Sequence, residues 1–230
     1  MSAESTKTRS VRTLEFIDTY FVGSVIDIGA GNDPVVKHAE VFDLIHGDAQ
    51  FILNYREKES YDCVNSSHCL EHMHDVPAAF AQWWGLVKPG GFMVTVVPHE
   101  DLYEQGVWPS IFNSDHKATF RINNENTWSP SSYDIMSLIT PLPNAVLISA
   151  EIQDKNYDYA LQGKKLGKFS LKIHKWAKSN NRAKKFMSDI FYSFLYKNFW
   201  IKSNNTSGKP IDQTLDNAIA QIQVVLQKNT

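Results

Sequence analysis

The sequence Val25-Ile-Asp-Ile-Gly-Ala-Gly-Asn-Asp-Pro34 is the strongest structural signal in this chain. Its apolar run up to Ile28 predicts a short strand, and Gly29-Ala-Gly31 predicts a tight turn directly after it. Glycines in such a turn let the backbone bend sharply and let a ligand approach without a Cβ in the way. Pro34 stands where a dinucleotide fingerprint needs its third glycine, and Asp27 would repel a pyrophosphate. The turn therefore favours a ligand with a cationic amino-acid part.

Strand-like and helix-like patterns alternate along the first 150 residues. Further strand candidates are Val41–Asp43, Tyr61–Asn65, Phe92–Val97, Ala145–Ile152 and Ile222–Leu226. Helical spacing of apolar residues is found over 11–21 and 76–87. Strands that alternate with helices predict an α/β fold, in which a mostly parallel sheet carries helices on both faces.

Two acidic residues follow the second candidate strand. A carboxylate at Asp43 can accept hydrogen bonds from both hydroxyls of a ribose. In Gly47-Asp-Ala-Gln50, Asp48 can accept from an adenine amino group while a neighbouring backbone N–H faces a ring nitrogen. Few residues separate the glycine turn from Asp43, so the usual intervening helix must be short or missing. Asp48 is therefore an alternative ligand for the ribose.

Six segments in this order resemble the class I S-adenosylmethionine-dependent methyltransferases. They are Asp27–Gly31, Asp43, Gly47–Ala49, Tyr61–Val64, Ser66–His72 and Leu86–Phe92, and Ala220–Lys228 is similar to the last strand of that family. The resemblance implies a Rossmann-like sheet of seven strands, six parallel and the last antiparallel, with S-adenosylmethionine across the strand ends. The cofactor contacts that it implies are Asp27, Ile28, Gly29, Ala30, Gly31, Asp43, Leu44, Gly47, Asp48, Ala49, Ser66, Ser67 and His68.

Histidines cluster between residues 68 and 116, at predicted strand ends. A histidine there can act as general base on an acceptor, because the pKa of imidazole lies near neutrality. His68 is the first candidate for this role, and His99 and His116 follow it. His72 and His74 are more simply interpreted as residues that pack and cap a helix.

Metal binding is the third interpretation of these histidines. His68 and His72 stand four residues apart and could share a metal ion with His99, Glu100 or His116. The segment begins in a loop and the required third ligand cannot be identified, so the sequence predicts no metal.

The segment from Glu100 to His116 is long and carries charged and aromatic residues. Long loops in compact domains are often functional. We expect Tyr103, Trp108 and His116 to line the pocket for the methyl acceptor. The alternative is a surface loop that its aromatic residues anchor.

Residues 155–208 form a basic insertion, and residues 1–154 with 209–230 form the methyltransferase domain. Twelve basic residues and two acidic ones lie between Lys155 and Lys202. Apolar stripes over 166–177 and 183–195 predict a pair of amphipathic helices. These helices could pack on the sheet domain or on a second subunit, or cover an anionic acceptor as a lid. Peripheral membrane contact through the aromatic segment 191–200 is a further alternative.

Composition limits the remaining functions. The 230 residues carry a net charge of −2 and 43% hydrophobic residues, which excludes a globally basic nucleic-acid binder and a disordered chain. Two cysteines cannot build a disulfide framework. Neither a signal peptide nor a membrane-spanning run is found, so the sequence predicts a cytoplasmic protein.

The predicted function is S-adenosylmethionine-dependent transfer of a methyl group to an oxygen or nitrogen of a small polar acceptor. A sugar, a phosphorylated metabolite or a natural product fits this description, and nucleic acid does not. The whole pattern resembles bacterial methyltransferases of surface-saccharide or secondary-metabolite pathways. The rival functions are a non-catalytic cofactor-binding scaffold and a nicotinamide-dependent oxidoreductase.

Overall fold

The computed structural model describes residues 4–163, 165–166, 176, 181–191, 209–215 and 217–230. The chain forms two compact units, Met1–Tyr157 with Thr214–Thr230, and Asp158–Gln213. Residues 155–208, predicted from the sequence to be an insertion, stay a prediction as a separate domain.

The first unit contains four α-helices and eight strands in the described residues. They are α1 (Glu4–Arg9), α2 (Leu14–Tyr20), β1 (Val25–Ile28), β2 (Glu40–Phe42), β3 (Tyr61–Ser67), α3 (Val76–Gly85), β4 (Val87–Pro98), β5 (Thr119–Arg121), β6 (Ser132–Asp134), α4 (Ile135–Ile139), β7 (Ala145–Gln153) and, at the end of the chain, β10 (Gln221–Lys228). Short helical turns lie at Ala49–Asn54, Leu70–His72 and Glu100–Glu104. The helix predicted over 11–21 is α2, which is shorter than predicted, and α1 precedes that range.

The main sheet has the strand order β2-β1-β3-β4-β10-β7. Strands β2, β1, β3 and β4 pair in parallel, whereas β10 runs antiparallel to both β4 and β7. This confirms the predicted Rossmann-like α/β fold with its last strand antiparallel. The strand count was wrong, because the sheet has six strands instead of seven. Between Asp43 and Tyr61 the chain forms the 3-10 turn Ala49–Asn54 instead of another strand, so β2 is the edge.

Helices cover both faces of the sheet, as predicted. On one face α3 buries Trp83 and Trp84 against the sheet, and on the other α2 packs near Phe21 and Val25. Helix α3 begins where the Asp75 side chain accepts a hydrogen bond from Ala78 N. It ends at Gly85, two residues before the predicted end at 87, because the following segment pairs with β3 and starts β4.

The second unit has few described elements. The two-residue strands β8 (Lys165–Leu166) and β9 (Lys209–Pro210) pair antiparallel, and α5 spans Arg182–Phe191. The first and last residues of this unit are hydrogen-bonded to each other. The side chain of Gln213 accepts from Asp158 N at 2.8 Å and donates to Asp158 O at 3.0 Å. Most of the predicted stripe over 166–177, and the aromatic segment beyond residue 191, lie outside the described residues. No described helix is long and apolar enough to cross a membrane.

Candidate functional site

The glycine turn and Asp43 meet at the ends of β1 and β2. The N–H of Gly29 donates to the carbonyl of Phe42 at 2.8 Å, and the N–H of Gly31 donates to Asp43 Oδ2 at 3.0 Å. The other oxygen of Asp43 accepts from Leu44 N at 2.7 Å. No helix separates β1 from β2, and the direct connection still brings the acid beside the turn.

Asp48 caps a helical turn. Its side chain accepts from Gln50 N at 2.8 Å and caps the 3-10 turn that begins at Ala49. The carbonyl of Ala49 in turn accepts from Trp83 Nε1 at 2.9 Å, which ties this turn to α3. The structure therefore places Asp43, and not Asp48, against the glycines.

The backbone of the turn is open where a ligand could approach. Gly29 and Gly31 are both exposed and have φ angles of +80° and +56°, a region that favours glycine. A Cβ on Gly29 would lie 2.7 Å from the Sγ of Cys69, whereas a Cβ on Gly31 would meet only Asp43 Oδ2, at 3.7 Å. The side chain of Ile28 is fully buried, so only the backbone of this residue can face a cofactor.

Asp27 anchors the far side of the same turn. Its carboxylate is 1% exposed and accepts from Val35 N and from Asn65 Nδ2, both at 2.6 Å. Burial raises the pKa of Asp27 to about 6, although both hydrogen bonds oppose that shift. Asp27 thus fastens residues 31–35 to β3, and it would reach a cofactor amine through its remaining lone pairs or a water molecule.

Apolar side chains next to Asp43 are exposed. Leu44 is 85% exposed, Ile45 is 90% exposed, and Phe51 in the following 3-10 turn is 50% exposed. The ring of Tyr55 leaves no room for a side chain at Gly47, because a Cβ there would lie 2.8 Å from it. Exposed apolar groups beside an open backbone are typical of a surface that a flat ligand covers.

The N-terminal helix α1 contacts this region, which the sequence reasoning missed. Arg9 donates from Nη2 to Asp33 Oδ1 at 2.7 Å and to the carbonyl of Pro34 at 3.0 Å. The hydroxyls of Thr8 and Ser67 lie 3.5 Å apart, so α1 also reaches the end of β3. The basic residues at 7–12 were the only sequence signal for these contacts.

Glu71 is the centre of a cluster of histidines beyond β3. Its side chain is 0% exposed, and neither carboxylate oxygen has a hydrogen-bond partner of good geometry in the described part of the chain. Glu71 Oε1 lies 3.5 Å from His68 Nδ1, 3.9 Å from His116 Nε2 and 4.0 Å from His72 Nε2. Burial alone would raise the pKa of Glu71, but the neighbouring histidines outweigh burial and lower it.

Two of these histidines are oriented by further carboxylates. His116 Nδ1 lies 2.7 Å from Glu104 Oε1, and His72 Nδ1 lies 2.9 Å from Asp115 Oδ2. The segment with His116 reaches Glu71 through its backbone, because Lys117 N and Ala118 N both donate to the carbonyl of Glu71.

His68 is held by Gln221. The Nε2 of Gln221 donates to Gln153 Oε1 at 2.6 Å, so the other amide atom of Gln221 is an acceptor. His68 Nε2 lies 2.9 Å from that oxygen and therefore carries a proton, which leaves Nδ1 facing Glu71. The side chain of His68 is 16% exposed, against 3% for that of His116.

His99 and Glu100 lie outside the cluster and have structural contacts. His99 Nδ1 accepts from Asp101 N at 3.1 Å and caps the helical turn Glu100–Glu104, and burial lowers the pKa of His99. Glu100 is 1% exposed. Its Oε2 accepts from the hydroxyls of Thr119, Thr127 and Ser132.

The structure brings together two of the three predicted pocket residues. The ring of Tyr103 lies 5.3 Å from that of His116. Trp108 is half-buried. The remaining predicted contacts, Ser66 and Ser67, are buried at the end of β3, and the Ala30 side chain is also buried.

Comparisons with known proteins assign this chain to a protein family. The family model of the methyltransferase domain matches residues 14–138, more than half of the chain. No curated protein matches the sequence. Among solved structures, the MccD protein aligns with a TM-score of 0.50 at 9% identity, over 94% of this chain and 95% of that one.

Two further solved structures are similar to this chain. An S-adenosylmethionine-dependent methyltransferase from Archaeoglobus fulgidus gives a TM-score of 0.49 at 13% identity, over 99% and 95% of the two chains. A Galdieria sulphuraria protein assigned as a sarcosine dimethylglycine methyltransferase gives 0.44 at 15% identity over 85% of this chain, which spans 61% of that protein's length. Identities this low show the fold alone. The family model is the stronger finding: the chain belongs to the methyltransferase domain family, which confirms the prediction of an S-adenosylmethionine-dependent methyltransferase.

Proposed function

We propose that this chain transfers the methyl group of S-adenosylmethionine to an oxygen or nitrogen of a small polar acceptor. The hydrogen bond from Gly31 N to Asp43 Oδ2 is the observation that supports this proposal most directly. It holds a carboxylate beside an exposed glycine turn, where the adenosyl part would lie along the backbone. Each carboxylate oxygen of Asp43 keeps a further lone pair that can accept from a ribose hydroxyl.

The exposed side chains around Asp43 support the adenine end of the same proposal. Leu44 and Ile45 offer apolar surface to a flat ring, and covering them removes that surface from water. Adenosine would therefore extend from the glycine turn across Asp43 towards the 3-10 turn at Ala49. The methionine part would then lie towards Asp27 and the end of β3.

The reaction needs alignment more than acid–base power. An acceptor atom attacks the methyl group in line, and the positive charge of the sulfonium disappears as the bond forms, so correct placement supplies much of the rate. We assign the removal of the acceptor proton to His68. Its side chain is partly exposed, and the Glu71 carboxylate, 3.5 Å from Nδ1, would stabilise the imidazolium that forms.

His99 and His116 are less suited to this role. His99 uses Nδ1 to cap a helical turn, and its Nε2 then carries the proton. His116 is 3% exposed in its side chain and cannot reach an acceptor as readily as His68.

The acceptor class is inferred from the residues that follow β4. Tyr103 and polar side chains of residues 100–116 suit a sugar or another hydroxylated molecule. The excess of basic residues in the sequence of 155–208 would by itself attract an anionic molecule such as a phosphate ester. In α5 the side chains of Phe186 and Met187 are more than half exposed, which supports the proposal that this segment contacts a second copy or a lipid surface.

The test is a turnover assay that detects S-adenosylhomocysteine, the product common to every acceptor. Sugars, sugar phosphates, phosphorylated amines and simple amines form the panel. We expect product with at least one hydroxylated or phosphorylated acceptor and binding of S-adenosylhomocysteine by calorimetry. Binding without turnover on any acceptor would favour the scaffold, and a thermal shift with NADH alone would favour the oxidoreductase.

A further inference from the structure

We propose that Glu71, His72 and His116 bind a divalent transition-metal ion, with Zn²⁺ as the preferred ion. This inference does not depend on the proposed methyl transfer. It depends on three donor atoms that converge on one point, on a buried carboxylate without hydrogen-bond partners, and on the carboxylates behind both imidazoles.

The donor atoms are spaced for one ion. One ligand atom from each of the three residues lies within 4.8 Å of the other two. The Nε2 atoms of His116 and His72 lie 3.9 Å and 4.0 Å from Glu71 Oε1. Ligands about 2.1 Å from a tetrahedral Zn²⁺ are separated by roughly 3.4 Å, so the side chains need to move by less than about 1 Å.

The carboxylate at the centre has three imidazole nitrogens around it, but at distances of 3.5 to 4.0 Å. Glu71 is fully buried, and its oxygens have no hydrogen-bond partner of good geometry among the described residues. A buried carboxylate in this condition is costly unless a cation or hydrogen-bond donors compensate it. A metal ion between Glu71 and the two imidazoles would supply that compensation directly.

Both imidazoles are arranged as metal ligands usually are. A ligating histidine commonly donates its second ring N–H to a carboxylate, which fixes the tautomer and the ring orientation. Glu104 Oε1 lies 2.7 Å from His116 Nδ1, and Asp115 Oδ2 lies 2.9 Å from His72 Nδ1. With the protons on Nδ1, both Nε2 lone pairs are directed to the side of Glu71.

The donor set indicates the kind of ion. Two imidazoles and one carboxylate suit Zn²⁺ and its neighbours in the first transition row, whereas Mg²⁺ and Ca²⁺ prefer oxygen ligands alone. Three protein ligands leave a fourth position for water or another oxygen ligand. The side chain of His72 is 25% exposed, so the ion can enter from that side.

Metal content and binding test the proposal on the full chain, purified without a histidine tag. After treatment with a chelator, the protein is titrated with ZnCl₂ by calorimetry and its bound metal is counted by mass spectrometry. We expect one Zn²⁺ per chain and a higher thermal midpoint with Zn²⁺ than with Mg²⁺. Cobalt(II) should give visible absorption bands typical of a low-coordinate N/O site.

Variants locate the site. His72→Asn and His116→Asn should weaken Zn²⁺ binding at least about 100-fold, and Glu104→Ala about 10- to 100-fold through its effect on His116. His74→Asn is the matched control, because His74 is exposed and belongs to the same segment. It should bind Zn²⁺ as the parent protein does.

The outcomes are separable from those of the methyltransferase proposal. A stripped parent protein that binds no Zn²⁺, or a His72→Asn variant that binds it as tightly as the parent, would overturn the metal site. If His116→Asn does not fold, the partly exposed His72 decides the question. Binding of S-adenosylhomocysteine is measured on the same variants and should be retained, since Asp43 and the glycine turn are unchanged.

Discussion

Cys69 packs against the glycine turn so closely that a Cβ on Gly29 would lie 2.7 Å from its Sγ. This contact links the loop after β3 to the end of β1. The glycine turn and the histidine segment therefore pack directly against each other. A substitution in the turn should disturb the conformation of both.

Alanine at the two glycines should separate packing from backbone strain. Gly29→Ala puts an alanine at a left-handed φ and brings its Cβ into a clash with Cys69. We expect a loss of about 2–4 kcal/mol in the free energy of unfolding. Gly31→Ala also puts an alanine at a left-handed φ but causes no clash, so it should lower the free energy of unfolding by about 1 kcal/mol. Urea unfolding measures both. Equal losses would contradict the close packing of Cys69 on Gly29.

Asp27 should make stability depend on pH. The carboxyl titrates near pH ~3.9 in the unfolded chain and at about 6 in the folded chain, because it is buried. The folded state therefore holds a proton that the unfolded state has lost between these values. Its stabilising contribution is full below the unfolded pKa and is lost as the pH rises through 6.

The stability of the Asp27→Asn variant relative to the parent should consequently rise by about 2 to 2.5 kcal/mol between pH 4 and pH 7.5. Denaturant unfolding at several pH values gives this difference. Asp18→Asn, an exposed change on α2, is the control and should follow the parent protein at every pH. A flat difference for Asp27→Asn would show that Asp27 has the same pKa in both states.

Glu100 should hold the segment that contains β5 and β6. Three hydroxyls donate to its buried Oε2, and Glu100→Ala leaves all of them without that acceptor. Hydrogen bonds to a charged group are strong, so we expect a loss of about 3 kcal/mol or more in the free energy of unfolding. Glu125→Ala, an exposed change in the same segment, should cost almost nothing. Hydrogen exchange over 119–134 should increase only in the Glu100 variant.

Replacing His68 and His99 by asparagine, one at a time, should distinguish a catalytic base from a residue that only caps a helical turn. Asparagine is a good helix cap, so His99→Asn should keep the hydrogen bond from Asp101 N and most of the turnover. His68→Asn removes the proposed base and should lower kcat by about 100-fold while cofactor affinity is retained. Steady-state kinetics and calorimetry measure the two effects. Similar loss of kcat in both variants would contradict the assignment of His68.

The sequence predicted the local elements better than the long-range contacts. Val25–Ile28 and the glycines after it carry their own signal, because a buried strand and a sharp turn need those residue types. The missing seventh strand was not predictable from the resemblance alone. Residues 43–60 are simply too few to cross over and form a further edge strand beside their 3-10 turn.

Glu71 shows why the rest of the site was missed. It is fully buried, and its carbonyl accepts from Lys117 N and Ala118 N, which lie 46 and 47 positions further along the sequence. The orientation of His116 by Glu104 likewise depends on the turn that His99 caps. Such contacts depend on tertiary packing, and a single sequence carries no periodic pattern for them.

Calorimetric titration with S-adenosylhomocysteine tests the central claim most directly, on the parent protein, Asp43→Asn and the control Asp18→Asn. Since hydrogen bonds to a charged acceptor contribute about 1.5–3 kcal/mol each, Asp43→Asn should bind at least about 10-fold more weakly than the parent. Asp18→Asn removes the same charge from an exposed helix and should bind as the parent does. Absence of binding to the parent, or equal affinity for Asp43→Asn and the parent, would contradict the account.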